Sequence, residues 1–285
     1  MNVLGEGRAN GAISILHALG LGRGCSVGIQ LETEVKIVDE LLEVENDRHG
    51  LLEAIESCWR EDGLPIPEEF GWKIESTVPI GQGLKSSSAL SCAALRALNS
   101  CSWAGLSNSE IADLAAKAQL MSGCAKTGSM DDNWASLEYG WKLVDPSLTA
   151  SDSVIIQGLL DDSLSVLVCL RGPRSVEVSP HKFSEQRQIF ERSLASVMSG
   201  NILGALSSNG MAVSAATDDH EALRLSNLCI ASGAISSGVS GSGPAIAIVC
   251  FEDDSDDISR IISEMGLLLI STSFVSSEEL LEEAS

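Results

Sequence analysis

Basic residues are scarce in this chain: 285 residues carry 18 Lys and Arg against 40 Asp and Glu, a formal net charge of −22. A surface for DNA or RNA needs clustered cations to displace counterions from phosphates, so nucleic-acid partners are not expected. No C-x-x-C pair occurs among the eight cysteines, at 25, 58, 92, 101, 124, 169, 229 and 250, and several sit inside apolar segments. Buried free thiols are therefore expected rather than metal ligands. His17, His49, His181 and His220 lack metal-ligand spacing too, and read as structural or surface residues. Apolar runs fall short of the roughly 20 residues that cross a bilayer. The start, Met1-Asn2-Val3-Leu4-Gly5-Glu6, lacks the basic region of a signal peptide, so a cytoplasmic chain without a membrane partner is expected. Two nucleotide signatures are missing as well. A Walker A loop needs Gly directly before Lys, where Leu84 stands, and Gly20-Leu21-Gly22-Arg23-Gly24 fails the G-x-G-x-x-G spacing of a dinucleotide fold.

What is present is a different glycine-and-serine loop, Pro79-Ile80-Gly81-Gln82-Gly83-Leu84-Lys85-Ser86-Ser87-Ser88-Ala89, running into an alanine-rich segment. Gly81 and Gly83 permit positive φ and close backbone approach, so consecutive N–H groups can converge on one anion. The helix expected after the loop adds its positive dipole end, Lys85 adds a cation, and Ser86, Ser87 and Ser88 add capping hydroxyls. Trp72, Ile74, Ser76 and Val78 alternate with Lys73, Glu75 and Thr77 ahead of it, as a half-buried strand does. A strand, a cradle and a buried helix make a nucleoside triphosphate the expected ligand. Because the net charge repels such an anion, the site must gather its few cations locally and recruit magnesium.

The length and the 44% hydrophobic content suit two domains, placed at 1–150 and 151–285. Val27, Ile29, Leu31, Thr33, Val35 and Ile37 define one face of a long antiparallel-type strand, with Ser26, Gly28, Gln30, Glu32, Glu34 and Lys36 on the other. Helices are expected over 51–60, 87–103 and 108–122, and 146–152 reads as the exit from this unit. Strands near 164–170 and 245–251 alternate with helices over 184–198, 219–231 and 256–265, which makes a second α+β unit. Glu278, Glu279, Glu282 and Glu283 read as a solvated end.

The ordered string P-x-x-x-G-L-x-S-S-S-A resembles the ATP-binding motif of the GHMP small-molecule kinases, which include galactokinase, homoserine kinase and mevalonate kinase. Gly7-Arg8-Ala9-Asn10-Gly11-Ala12 and Ser240-Gly241-Ser242-Gly243-Pro244-Ala245 fall where that superfamily has its other motifs. Within it, Gly11-Ala12-Ile13-Ser14-Ile15-Leu16-His17-Ala18 with Gly22-Arg23-Gly24, Lys85 in the serine loop, and Thr127-Gly128-Ser129-Met130-Asp131-Asp132 resemble archaeal shikimate kinases. The resemblance implies an α+β, two-domain fold, with a ribosomal-S5-like N-terminal domain, a ferredoxin-like C-terminal domain and the active site between them.

It also implies an ATP- and magnesium-dependent kinase that phosphorylates shikimate to shikimate 3-phosphate in aromatic amino acid biosynthesis. Homoserine kinase, or a non-catalytic ATP-binding sensor, is the alternative. Asp132 or Asp131 would align or deprotonate the acceptor hydroxyl. Spacing from Gly128 favours Asp131, whereas Asp132-Asn133 and the distance to Tyr139-Gly140 favour Asp132. Ser240, Gly241, Ser242 and Gly243 would pack against the triphosphate or its loop. Shikimate's carboxylate calls for a guanidinium or ammonium partner, with Arg8, Arg171 and Arg174 as candidates. Mevalonate kinase takes a magnesium ligand from a Glu where this chain reads Ala118-Gln119-Leu120-Met121, so Ser87 or Ser88 would serve instead. Tyr139-Gly140 likewise replaces the more usual Gly-Gly. Lys126, near the aspartates, would lower the pKa of a neighbouring carboxylate or meet a phosphate.

Overall fold

The computed structural model describes residues 2–42, 44, 47, 49–173 and 178–276. The acidic end expected at 278–283 lies outside them. In chain order, the first half holds β1 (Val3–Leu16), α1 (Ala18–Leu21), β2 (Gly24–Val38), α2 (Leu51–Glu61), β3 (Gly71–Ser76), α3 (Ser86–Ser102), α4 (Asn108–Met121), α5 (Met130–Leu137) and β4 (Trp141–Val144). There follow α6 (Ala150–Ser153), β5 (Val154–Gly158), β6 (Ser165–Leu170), α7 (Pro180–Glu185), α8 (Arg187–Met198) and α9 (Ile202–Ala216). The described chain closes with α10 (His220–Ala231), β7 (Ser236–Val239), β8 (Ile246–Cys250), α11 (Glu252–Glu264) and β9 (Leu268–Ser273).

β1, β2, β4 and β5 form one antiparallel sheet in that order, and β3 shares the far half of β2 with it. β5 therefore belongs to the first sheet, past the expected exit at 146–152. The second sheet is antiparallel in the order β7-β8-β6-β9. The two sheets meet where Ile29 bridges Phe274 and the Val275 N–H donates to the Gly28 carbonyl. This is the mixed α+β, two-layer arrangement that the resemblance implies.

Each sheet buries one face under helices. Trp59, Leu95, Leu98, Ile111 and Trp134 build a core beneath α2 to α5. A second core runs from Ile13, Ile15 and Leu16 of β1 through to Val166, Val168, Ile246 and Ile248 of the other sheet, so the two halves share apolar burial. Glycine in β1 sets how closely α3 approaches: a Cβ on Gly7 would lie 2.4 Å from the Ala93 carbonyl oxygen. At the other end of the α3–α4 connection, Ser107 and Glu110 form a reciprocal capping box that starts α4.

The long strand β2 departs from expectation in its first half. Its outer half alternates as predicted, but residues 24–29 are buried on both faces, because α5 lies across the face that carries Ser26 and Gly28. All eight residues of α5 are buried, Asp131 and Asp132 included. That arrangement, two carboxylates pressed onto a strand, positions the site. The helix predicted over 184–198 is broken at Gln186 into α7 and α8, and α11 begins at Glu252 rather than 256. All eight cysteines are free thiols, and six of them are buried, as the spacing predicted.

Candidate active site

The serine loop turns on three left-handed residues, Gly81 (φ 74°), Gly83 (φ 81°) and Lys85 (φ 64°). Lys85 is not a glycine, so its conformation is strained, and strain of this kind is held only by surrounding contacts. Those contacts come from two distant segments. The Ala12 N–H donates to the Leu84 carbonyl at 3.1 Å, and the Ala245 N–H to the Gln82 carbonyl at 3.1 Å. Ser240 Oγ donates to the Gly83 carbonyl at 2.8 Å and accepts from the Ser14 N–H at 3.2 Å. The three motifs therefore meet at one seam, and at Gly83 a Cβ would lie 2.2 Å from the Ser240 carbonyl oxygen.

Lys85 is the N-cap of α3, and its side chain does not cap the helix. The N–H groups of the first turn, on Ser86, Ser87 and Ser88, lack intrahelical acceptors and sit at the positive end of a 17-residue helix. They border a cleft of about 570 Å³, whose wall includes Gly81, Gly83, Lys85, Ser86, Ser87 and Ser88 together with Asp131 and Asp132. Gly241 and Ser242 close another side. Ser14 lines the cleft too, and its hydroxyl is buried with no hydrogen-bond partner among the described residues, which a ligand oxygen would supply. Left-handed turns, unpaired N–H groups and an orphaned hydroxyl fit a bound phosphate chain.

Asp131 and Asp132 stand in the first turn of α5, which starts after the left-handed Gly128 (φ 72°) and Ser129 (φ 51°). Lys85 Nζ lies 2.8 Å from Asp132 Oδ1, and both side chains are only 11% exposed. Ser26 Oγ lies 2.9 Å from Asp131 Oδ2 and 2.8 Å from Asp132 Oδ1. Burial first, and then the neighbouring Asp132 charge, push the Asp131 carboxyl up to about 7. The site thus offers one carboxylate paired with a cation and one carboxyl poised near neutrality.

Gln119 lies in the segment 118–121, where the resemblance implied a magnesium-binding Glu that this chain lacks. Its Oε1 accepts from Ser88 Oγ at 3.3 Å, and its Nε2 donates to Asn133 Oδ1 at 2.7 Å, so it braces α3 against α5. His17, read from sequence as structural or surface, lines the cleft. Its Nδ1 accepts the Leu19 N–H at 3.2 Å, which leaves Nε2 to donate to Ser242 Oγ at 2.9 Å. Spacing alone carried no signal for His17, Ser14 or Ser26. Beside the cleft, Leu42, Val44, Trp72, Ile74, Ile80 and Leu90 line a more apolar cavity of about 510 Å³ that shares Ser86 and Ser87 with it.

The arginine candidates fare differently. Arg8 lies on β1, held by Glu34 at 2.7 Å, and is not among the residues lining the cleft. Arg171 is also committed elsewhere: it grips Asp219 through two bonds of 2.6 and 2.9 Å, and Asp219 caps α10. Arg174 lies outside the described residues. Lys126 does line the cleft, and its Nζ donates to the Val178 carbonyl at 3.1 Å. Pro79 and Ala89 flank the loop as its entry and exit, and Gly243 turns (φ 74°) directly before Pro244.

Comparison with known proteins agrees with this geometry. Residues 49–140 match the GHMP kinases N terminal domain. The chain is 25% identical to a shikimate kinase of Methanothermobacter thermautotrophicus, over 88% of this chain and 89% of that one. It is 29% identical to a shikimate kinase of Thermococcus kodakarensis, over 86% and 92%. The crystal structure of Methanococcus jannaschii mevalonate kinase superposes with a TM-score of 0.75 at 14% identity, covering 95% of this chain and 98% of that one, which is a likeness of fold. With three motifs joined at one cleft, the domain match over 49–140 and these relatives over most of the chain in accord, the chain is a kinase similar to the archaeal shikimate kinases and to the GHMP kinases.

Proposed function

We propose that this chain transfers the terminal phosphoryl group of ATP to a hydroxyl of shikimate. One observation carries the reading: the Lys85–Asp132 pair stands in the same cleft as the first turn of α3, so an anion cradle and a paired carboxylate face one enclosed space. The backbone of Gly81, Gly83 and Ser86 to Ser88 would hold the phosphates, and the adjoining apolar cavity at Trp72 and Ile74 suits the base. Bound ATP would supply the phosphoryl group, and magnesium, which the hydroxyl of Ser87 or Ser88 would hold, would supply charge neutralisation.

The chain's own residues do the rest. Lys85 pairs with Asp132 and fixes its orientation. Asp132 accepts a hydrogen bond from the acceptor hydroxyl and takes its proton as the oxygen bonds to phosphorus. Burial of the pair keeps competing water away. For the acceptor's carboxylate we assign Lys126, whose partner is a neutral carbonyl.

ADP release by the purified protein with Mg-ATP, comparing shikimate with homoserine, mevalonate and galactose, tests the reading. Turnover with shikimate alone is expected. Turnover with homoserine instead would move the chain to that branch of the superfamily. ATP binding with no turnover on any of them would overturn the kinase reading for these acceptors.

A further inference from the structure

Ser26 sits on β2, 1% exposed, with its single hydroxyl hydrogen facing two carboxylate oxygens at 2.9 and 2.8 Å. One hydrogen satisfies one of these contacts; the other would set lone pair against lone pair unless a carboxyl brings its own proton. Lys85 meets Asp132 Oδ1, the same oxygen that faces Ser26, which places the negative charge on Asp132. Asp131 is pressed against the strand itself, since a Cβ on Gly24 would lie 2.4 Å from its Oδ1.

We propose that Ser26 is a positioning residue that orders the acid pair: Asp131, as a neutral acid, donates to Ser26 Oγ, and Ser26 donates to Asp132 Oδ1. All three groups are then satisfied in one direction, and the arrangement selects Asp132 as the base. Without the hydroxyl, Lys85 alone would hold the charge on Asp132, and the Asp131 acid would lose the acceptor for its proton. In the transfer step the acceptor's O–H bond breaks and its proton passes to Asp132, so the pair holds one proton before the step and two after it. No further reactant is needed.

The groups facing Asp131 agree with a neutral acid there. Burial, then Asp131, holds the Cys25 thiol of β2 well above its ordinary range, and burial pushes Cys92 of α3 up to about 12, so both stay uncharged. Lys85 at the head of α3 and Asp132 on α5 are the nearest charges, and Lys126, His17 and His49 line the same cleft. The Asp131 carboxyl itself is displaced up to about 7, by burial first and by Asp132 second.

Infrared titration of the full chain tests the proton's location without any substrate. The C=O stretch of a protonated carboxylic acid is expected at pH 6, disappearing by pH 9, and absent in Asp131→Asn; in Asp132→Asn, which removes the neighbouring charge, it should persist only to a lower pH. In Ser26→Ala the band should shift to higher frequency as the acid loses its acceptor. The kinetic arm rests on the kinase reading. There, Ser26→Ala should lower kcat about tenfold and move the acid limb of the pH profile up by about one unit, with KM for ATP unchanged. Ser26→Thr, which keeps the hydroxyl, should restore the limb. A band that survives in Asp131→Asn, or no acid band in the wild type at pH 6, would overturn the proposal even if Ser26→Ala does not fold. So would a Ser26→Ala protein whose band and acid limb both stay in place. Failure of turnover with every acceptor leaves the infrared result intact, so the two readings fail separately.

Discussion

Lys85 Nζ and Asp132 Oδ1 lie 2.8 Å apart, joining the last left-handed residue of the anion cradle to the first turn of α5. The same lysine stands at the N-cap of α3, where phosphate is proposed to bind, and holds the carboxylate proposed to face the acceptor. Asp132→Asn should therefore lower turnover by about 10²- to 10⁴-fold while nucleotide affinity changes little. Asp131→Asn keeps a hydrogen-bond donor toward Ser26 and should cost less. Single-turnover rates with nucleotide binding measured in parallel check this, and equal small losses would remove both aspartates from the chemistry.

Gly83→Ala strikes the seam rather than the chemistry. Its Cβ would meet the Ser240 carbonyl oxygen at 2.2 Å, at a φ of 81° that alanine also resists. Destabilisation of about 2 kcal/mol or more is expected, with nucleotide affinity reduced more than tenfold. Thermal unfolding with and without Mg-ATP reads both. Gly81→Ala is the control, since a Cβ there meets nothing within 4 Å and only the left-handed φ is penalised.

For Arg171 the expected outcome follows from its partner. Arg171→Ala strips Asp219 of its guanidinium and weakens the cap of α10, so it should cost about 2 kcal/mol of stability and leave KM for the acceptor unchanged. A raised acceptor KM with unchanged stability would return Arg171 to the binding site.

Stability should also depend on pH through Asp131. Its carboxyl sits higher in the folded chain, at about 7, than the ordinary 3.8, so its contribution is fully present below about pH 4 and is lost as pH rises through 7. The slope reaches at most about 1.4 kcal/mol per pH unit. Asp39, Asp145, Asp161 and Asp218 are held below the ordinary range by hydrogen bonds to Asn2, Ser147, Ser163 and Lys182, and their contributions vanish only as pH falls below about 4. Denaturant titrations at pH 5.5 and 8 should show wild type losing stability between them and Asp131→Asn losing much less.

The anion cradle was legible because a phosphate chain demands glycine and serine at fixed spacing, and α4 because Ser107 and Glu110 mark its start. β1 was not read as a strand. Its Gly5, Gly7 and Gly11 interrupt the alternation, and at Gly5 and Gly7 they serve the close approach of α3 rather than strand propensity. α5 reads Met-Asp-Asp-Asn-Trp-Ala-Ser-Leu, in which the run Asp-Asp-Asn-Trp is weakly helix-forming and tertiary burial on every side overrides it. α9 is apolar and small on nearly all faces, leaving little period to find. Ser26 fell on what pattern alone marks as the polar, exposed face of β2; burial under α5 turns that face into the floor of the site. The one-residue ambiguity between Asp131 and Asp132 has the same origin, since spacing along a chain does not say which carboxylate meets a lysine 46 or 47 residues away.

The seam joining Ala12, Leu84, Gln82, Ser240 and Ala245 also bears on the order in which the chain is made. Its partners are separated by as many as 226 residues, from Ser14 to Ser240, so closing it carries a long-loop entropy cost that local helices and hairpins do not. During synthesis the first sheet can pair as soon as β5 emerges, yet the wall of the nucleotide cleft waits for the turn at 240–244. Nucleotide that binds only the closed seam then acts on folding as well as on chemistry: it selects finished chains and stabilises them in proportion to its concentration over its dissociation constant.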